Sequence, residues 1–410
     1  MRAMRPGAAF DADLLLAPDA AIAAYLDAVA PAPLGIERVA LADAFGRILA
    51  RDAVADGPYP ADDRSTMDGF AVRSQDGAAT RRIAGTIRMG AAPPSVLAAH
   101  EAQRIPTGGV LPPGADAVIP LEDVVESDDA VTPQTPIAAG DYFTVRGEDM
   151  QPGDRVLSAG VRIGAAELAV LATLGAASVE VFRRPRVAVV PTGDELVDVA
   201  QTPATGQVRD SNRWALAGGL AAIGCDVLHL PSADDTVDAI AARLAEALAT
   251  ADAVVLSGGS SVGARDHVPA AIDRFGAPGI IVHGLKVKPG KPTVLAAIGT
   301  KPVIGLPGNP ASALTMFLAI AVPLLRALTG ESAPRGSTVD ARAAQRFTGR
   351  AGWTWFVPST LAADGVRPLQ LRSAHTSLLA RADGYVVVGP ERTVIEAGEP
   401  VTLVRYGGRS

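Results

Sequence analysis

Between residues 185 and 330 short apolar runs alternate with amphipathic stretches of helical period, and this alternation restricts the fold of the 410-residue chain more than any other feature. Strands are expected at 187–190, 225–230, 253–256, 280–287, 294–297 and 303–306, and helices at 213–223, 237–249, 267–275 and 311–325. Strands separated by helices cannot pair as hairpins. They must run parallel with right-handed crossovers, which predicts a doubly wound, mostly parallel α/β sheet.

The flanks differ. Residues 18–30 and 41–50 predict helices, whereas 51–139 carries brief apolar stretches punctuated by Gly, Pro and Asp, as in Ala115-Asp-Ala-Val-Ile-Pro120, and predicts a small β-rich domain. Residues 141–181 return to a mixed pattern with a helix at 165–174. A polar stretch with Pro334 and Gly336 follows Glu331 as a linker, and 340–410 predicts strands with turns at Asp364-Gly365, Asp383-Gly384 and Ala397-Gly398. The expected division is a discontinuous mixed α/β linker domain (12–50 with 141–183), a β-rich insertion domain (51–140), the α/β domain (184–332) and a C-terminal β domain (333–410).

A hydrophobic content of 48% with 20% charged residues is that of a globular protein, and the net charge of −7 argues against general nucleic-acid binding. Cys225, the single cysteine, forms no internal disulfide and is expected to be a buried, inert thiol; no Cys/His spacing suits zinc. Asp11 and Asp13 interrupt the start as a secretory signal. The uncharged run 302–325 is broken by Pro307, Gly308, Asn309 and Pro310 into a strand and a helix expected to be too short to span a bilayer. A cytoplasmic protein without nucleic-acid or membrane partners is expected.

Three loops adjoin these strands: Ser257-Gly-Gly-Ser-Ser-Val-Gly263, Lys288-Pro-Gly-Lys-Pro292 and Leu306-Pro-Gly-Asn-Pro310. Any one alone is an ordinary turn. Three at strand ends of one α/β segment point to an anion pocket, since ligands of such sheets bind at carboxyl ends. The first offers hydroxyls and unencumbered backbone N–H groups, because glycine allows the close approach that a Cβ would forbid. The second, short of N–H donors, offers the ammonium groups of Lys288 and Lys291. The third sets Asn309 as N-cap and Pro310 at the first position of a helix, with its dipole toward the same region.

Acidic residues gather at turn signals: Asp62, Asp63 and Asp68 around Arg64-Ser-Thr-Met67, Glu148 and Asp149, Asp194 and Glu195, then Asp210, Asp234, Asp235 and Asp266. Singly each is a cap or a solvated turn residue. Beside an anion pocket they would repel the ligand unless a divalent cation lies between, and Mg2+ accepts carboxylate and phosphate oxygens together. No Walker A and no G-x-G-x-x-G sequence is present.

Tyr59-Pro-Ala-Asp-Asp-Arg-Ser-Thr-Met-Asp-Gly-Phe-Ala-Val-Arg73, Thr192-Gly-Asp-Glu-Leu196, Asp210-Ser-Asn212, residues 257–266, 288–292 and 306–312 together closely resemble the molybdopterin molybdenumtransferase (MoeA) family, which includes the C-terminal half of gephyrin. The resemblance covers nearly the whole chain. It implies a multidomain α/β architecture: a domain like the molybdopterin adenylyltransferases, a β-rich insertion, a linker domain and a C-terminal β-barrel-like domain. It also implies a homodimer whose active cleft is shared between subunits, and insertion of molybdate into adenylylated molybdopterin with release of AMP.

By the same resemblance, Ser257, Gly258, Gly259, Ser260 and Ser261 bind the pterin phosphate region, with Pro307, Gly308, Asn309 and Ser312 at the adjoining helix start. Lys288, Lys291 and Arg64 hold molybdate or the departing phosphate; Asp63, Asp194, Glu195, Asp234 and Asp266 bind Mg2+ or activate the attacking oxygen, with Asp63 and Glu195 foremost. Ser65 and Asp68 line the molybdate pocket from the second subunit, while Thr107 and Asp149 match motif positions without an assigned role. Trp353-Thr-Trp-Phe-Val-Pro358 and Leu371-Arg-Ser-Ala-His375 depart from the family pattern. Molybdopterin adenylyltransferase and molybdoenzyme acceptors are the implied partners. The competing readings are a dimeric scaffold on the same fold and adenylyl transfer itself.

Overall fold

Strand runs such as Val187-Ala-Val-Val190 and Ala253-Val-Val-Leu256 are fully buried, as a sheet covered on both faces requires. The computed structural model describes residues 15–259, 267–332, 338–370 and 374–406. Six strands form the central sheet: β1 (Arg186–Pro191), β2 (Asp226–His229), β3 (Ala253–Ser257), β4 (Pro278–His283), β5 (Val294–Ile298) and β6 (Lys301–Leu306), in the order β2-β1-β3-β6-β5-β4. The first four strands in that order are mutually parallel, whereas β5 runs antiparallel to both β6 and β4.

Period-two alternation divides the side chains between two cores. Val187, Val189, Val255 and Ile304 meet Leu216, Leu220, Phe317 and Ile320 of the helices Asn212–Ala222 and Pro310–Thr329. Ala188, Val190, Val254 and Leu256 meet Ile240, Leu244, Val268 and Ile272 of Val237–Thr250 and His267–Ile272 on the other face. Each buried Val, Leu, Ile or Phe side chain among these contributes about 1.5–3 kcal/mol. Thr236 starts Val237–Thr250 by accepting the Ala239 N–H at 3.2 Å, with Asp238 in the positive first turn.

Two compact units result: one holds the described residues up to Arg51, Ala159–Ala165 and those from Ser178 onward; the other holds Asp52–Ser158 and Ala166–Ala177. In the first, helix Pro18–Val29 buries Ala21 and Tyr25 in the central core. The strands Ile36–Ala40 and Ser178–Phe182 pair antiparallel. The C-terminal sheet runs Val287–Lys288, Thr354–Ala362, Gly384–Val388, Pro400–Arg405, Thr338–Arg342, with Gly365–Pro368 paired to Thr354–Ala362. A bridge from Ala343 to Val366 brings its far edge back beside Gly365–Pro368, giving a barrel-like curl around Phe347, Val386, Val388 and Leu403. The second unit is built on a six-stranded sheet in the order Ala117–Pro120, Gly69–Val72, Glu101–Ile105, Arg81–Thr86, Ala130–Pro133, Val124–Glu126.

Three expectations are corrected. Residues 41–50 form a 3-10 turn at Leu41–Asp43 and then extend, because Gly46 turns the chain at φ +74° and Ile48 and Leu49 bridge to Arg162 and Val181. The run 280–287 is not one strand: β4 ends at His283, Gly284 takes φ +88°, and Val287–Lys288 joins the C-terminal sheet instead. The helix after Pro310 is not short. It continues for 20 residues, long and apolar enough to cross a bilayer, but 67% of its most apolar window is buried and it is a core helix. A π turn at Phe317–Ala321 carries it past Pro323, whose missing N–H would otherwise break the ladder.

Candidate anion-binding site

The carboxyl ends of β1, β3 and β6 lie in register, Pro191 opposite Ser257 and Ser257 opposite Leu306. Their loops are then stitched together: Thr192 N–H donates to Ser257 O at 2.9 Å, and Gly258 N–H to Leu306 O at 3.1 Å. The Gly258 N–H is therefore engaged within the protein, not open to a ligand as the glycine-rich loop suggested. Only glycine fits here. Gly258 has φ +106° and a Cβ on it would lie 2.2 Å from Thr192 O; Gly259 has φ +60° and its Cβ would meet Thr192 Oγ1 at 2.8 Å.

This close approach leaves two buried oxygens facing the turn. Thr192 Oγ1 and Asp235 Oδ1 are both shut from solvent and have no hydrogen-bond partner among the described residues. The Asp235 oxygen lies 3.6 Å from where a Gly259 Cβ would stand. Each such orphan costs about 1–3 kcal/mol. Asp194 fixes the second acidic turn by accepting the Asp235 N–H at 2.8 Å, while its neighbour Asp234 is exposed. The exposed Glu195 folds its carboxylate back over Gly193, where a Cβ would sit 2.6 Å from Oε2.

Asn212, at the start of its helix, clamps two of the loops: its Nδ2 donates to Ser257 Oγ and to Gly308 O, both at 2.8 Å. Ser257 and Ser312 are buried and Gly308 is exposed. Asn309 occupies the N-cap and Pro310 the first helical position, but the Asn309 side chain makes no capping bond; its carbonyl accepts the Ala313 N–H at 2.9 Å. The Lys288 loop is pressed onto the same helix, since Gly290, at φ +105°, leaves no room for a Cβ beside Met316. Thr293 Oγ1 holds the Gly290 carbonyl at 2.7 Å and the Lys291 carbonyl accepts the Leu285 N–H. Lys288 is exposed, with Nζ 4.2 Å from the ring centroid of Trp355.

The remaining candidates lie in the second unit and are held by local bonds. Asp63 accepts the Arg146 N–H at 2.7 Å, and Asp68 accepts both the N–H (2.7 Å) and the hydroxyl (3.1 Å) of Thr107. Thr107 thus holds Asp68 in place, a role the sequence did not disclose. Arg64 donates to Gly108 O at 2.8 Å, and the buried Ser65 hydroxyl donates to Met67 O at 2.5 Å. Gly69, which follows Asp68, would put a Cβ 2.0 Å from Ile119 O, so sheet packing alone demands glycine there.

Ser260, Ser261 and Asp266 lie outside the described residues. Among the described residues no group of three or more His, Cys, Asp or Glu side chains is arranged to hold a metal by itself. Asp210 is committed to structure, accepting from the Arg213 N–H and pairing with its Nε at 2.8 Å. Cys225 is buried, and that burial pushes its thiol up to about 12, the behaviour of an inert core residue. Sequence reasoning assigned no site role to Thr192, Asn212 or Asp235; the signal for the first two was membership of motifs at strand ends, and for Asp235 its place among the acidic residues at element boundaries.

Comparison with known proteins places the chain in a family. Residues 16–175 match the MoeA N-terminal region (domain I and II), 188–327 a probable molybdopterin binding domain and 340–405 the MoeA C-terminal region (domain IV). The molybdopterin molybdenumtransferase of Haemophilus influenzae is 31% identical over 383 residues, covering 91% of this chain and 94% of that protein. Its counterpart in Nostoc sp. is 36% identical over 304 residues, 72% of this chain and 70% of that protein. The crystal structure of a molybdopterin biosynthesis MoeA protein from Pyrococcus horikoshii superposes with a TM-score of 0.79 at 31% identity, covering 96% of this chain and all of that one. On this similarity over most of its length, the chain belongs to the molybdopterin molybdenumtransferase (MoeA) family.

Proposed function

We propose that the protein inserts molybdate into adenylylated molybdopterin, releasing AMP and yielding molybdenum cofactor. The observation that carries this reading is the Gly258-Gly259 turn closed against Thr192 and Asp235, whose buried oxygens have no partner among the described residues, at the carboxyl ends of adjacent strands. The substrates bring a pyrophosphate, an enedithiolate and a tetrahedral dianion together, and their mutual repulsion must be offset where they meet. Ser257 to Ser261 and the start of the Pro310 helix take the phosphate end. The cationic groups assigned to the oxyanion and the departing phosphate are those of Lys288, Lys291 and Arg64, since positive charge there stabilises the transition state. Asp63 and Glu195 are the carboxylates that orient or deprotonate the attacking group, with Ser65 and Asp68 shaping the molybdate pocket.

The donor set suits Mg2+. Asp235 Oδ1 is buried without a partner among the described residues, and the carboxylates of Asp194 and Glu195 are exposed, so hard oxygen ligands are available while substrate phosphate and water complete the shell. Asp235 takes the place given to Asp234 in the sequence reading, with Asp266 as a further ligand. Bound there, the ion would supply positive charge against the pyrophosphate. The working form is a cytoplasmic homodimer, fed by an adenylyltransferase and serving molybdoenzyme acceptors.

The test supplies purified protein with adenylylated molybdopterin, molybdate and Mg2+. One AMP per cofactor formed, and activation of an apo-molybdoenzyme, is the expected result. Release of pyrophosphate from ATP and molybdopterin instead would assign adenylyl transfer, and stable partner binding with no cofactor formed would assign a scaffold.

A further inference from the structure

Lysine occurs four times in this chain, at positions 286, 288, 291 and 301, and arginine supplies every other cationic side chain apart from histidine. Three of the four stand within one six-residue segment, so that segment calls for an ammonium where a guanidinium serves elsewhere. The same segment is paired to the strand Thr354–Ala362, which carries Trp355: Val287 lies opposite Thr354 and Lys288 opposite Trp355, and Thr354 N–H donates to Lys286 O at 3.0 Å. Trp355 is half-buried against the core of the C-terminal sheet, which fixes its ring. The Lys288 ammonium stands 4.2 Å from that ring's centroid, and among the described residues no carboxylate pairs with it.

We propose that Trp355 is a positioning residue that holds the Lys288 ammonium over its ring without neutralising it, presenting an intact positive charge to an oxyanion. The inference rests on the reading of Lys288 as an oxyanion ligand. A carboxylate could also hold the ammonium, but it would cancel the charge and repel the incoming dianion. A ring face holds it through its quadrupole and leaves N–H donors directed away from the ring. Arginine at 288 would stack its planar fork flat on the indole and lose that presentation, which accounts for lysine in an arginine-dominated chain.

Two readouts test this. Reductive methylation with 13C-formaldehyde keeps lysine charged and labels only the four lysines and the amino terminus, so NMR can follow Lys288 directly, with Lys288→Met giving the assignment. Its signal should lie upfield through the ring current, stay displaced in Trp355→Phe and return to the ordinary position in Trp355→Leu or, should that variant not fold, Trp355→Met. In turnover with adenylylated molybdopterin, loss of the ring should raise the KM for molybdate about two- to fivefold with little change in kcat, and phenylalanine should restore it. Trp355→Leu combined with Lys288→Met should be no worse than Lys288→Met alone.

An unshifted Lys288 signal in the wild type, an unchanged or lowered KM on loss of the ring, or additive effects in the double variant would overturn the proposal. A Lys288→Met variant with wild-type KM, the upfield signal being present in the unmutated protein, would refute the lysine's role and the proposal with it while leaving the contact established.

Discussion

The loop around Asp63 to Asp68 and the loops at the ends of β1, β3 and β6 carry similar residues and treat them in opposite ways. In the first, the named polar side chains meet local partners: Asp63 the Arg146 N–H, Arg64 the Gly108 carbonyl, Ser65 the Met67 carbonyl, Asp68 the Thr107 N–H and hydroxyl. At the second, Thr192 after β1 and Asp235 after β2 hold buried oxygens with no partner among the described residues, and Lys288, in its own loop, rests on a ring instead of a carboxylate. A satisfied loop presents a fixed shape. An unsatisfied one presents hydrogen-bonding capacity that a ligand can claim, at a standing cost to the free protein.

The largest effect should come from removing charge without disturbing either loop. Asp63→Asn retains an oxygen for the Arg146 N–H, so thermal unfolding should stay close to the wild type while cofactor formation falls by about 10²–10⁴. Glu195→Gln should behave likewise. If Asp63→Asn is active and only Asp63→Ala is not, then the carboxylate serves the loop alone, and the contrast between the loops loses its catalytic meaning.

Next in size is Gly258→Ala. Its Cβ would enter the Thr192 carbonyl at 2.2 Å while holding φ +106°, whereas Gly46, at φ +74°, has nothing within 4 Å of an added Cβ. Alanine at 46 should therefore show the backbone penalty alone, about 1 kcal/mol. Alanine at 258 should cost more, about 1–3 kcal/mol for strain in addition to the clash, and abolish cofactor formation. Equal losses of melting temperature in the two variants would mean that the loops are not closed on one another as described.

Five of the six strands of the central sheet were legible to within two residues, because short apolar runs and flanking turn residues are local signals; β4 was drawn too long, to 287 instead of His283. Non-local pairing was not. Residues 41–50 have helix-forming composition yet extend because Ile48 and Leu49 find Arg162 and Val181, and Val287 leaves its apolar run because the strand at Thr354–Ala362 takes it. At the site, acids and lysines announced themselves, but orientation did not. Asp235 turns inward while Asp234 stays exposed, since the Asp194 carboxylate holds the Asp235 N–H, and no spacing rule encodes that bond. Likewise, a glycine-rich loop implies free N–H groups, whereas the Gly258 N–H was spent on the neighbouring strand.

The finest division between the two loops is a matched pair of threonines. Thr107→Val deletes a hydroxyl that donates to Asp68 at 3.1 Å, so it should destabilise the protein by about 0.5–1.5 kcal/mol and loosen Asp68. Thr192→Val deletes a hydroxyl that is buried and unpaired among the described residues, so the same chemical change should leave the free protein's stability unchanged or raise it slightly. Its cost should appear only with substrate, as weaker protection against thermal unfolding by adenylylated molybdopterin, because ligand stabilisation follows affinity for the folded state. Should Thr192→Val instead lose as much stability as Thr107→Val, the oxygen already has a partner in the free protein, and it could no longer be counted as capacity held open for a ligand.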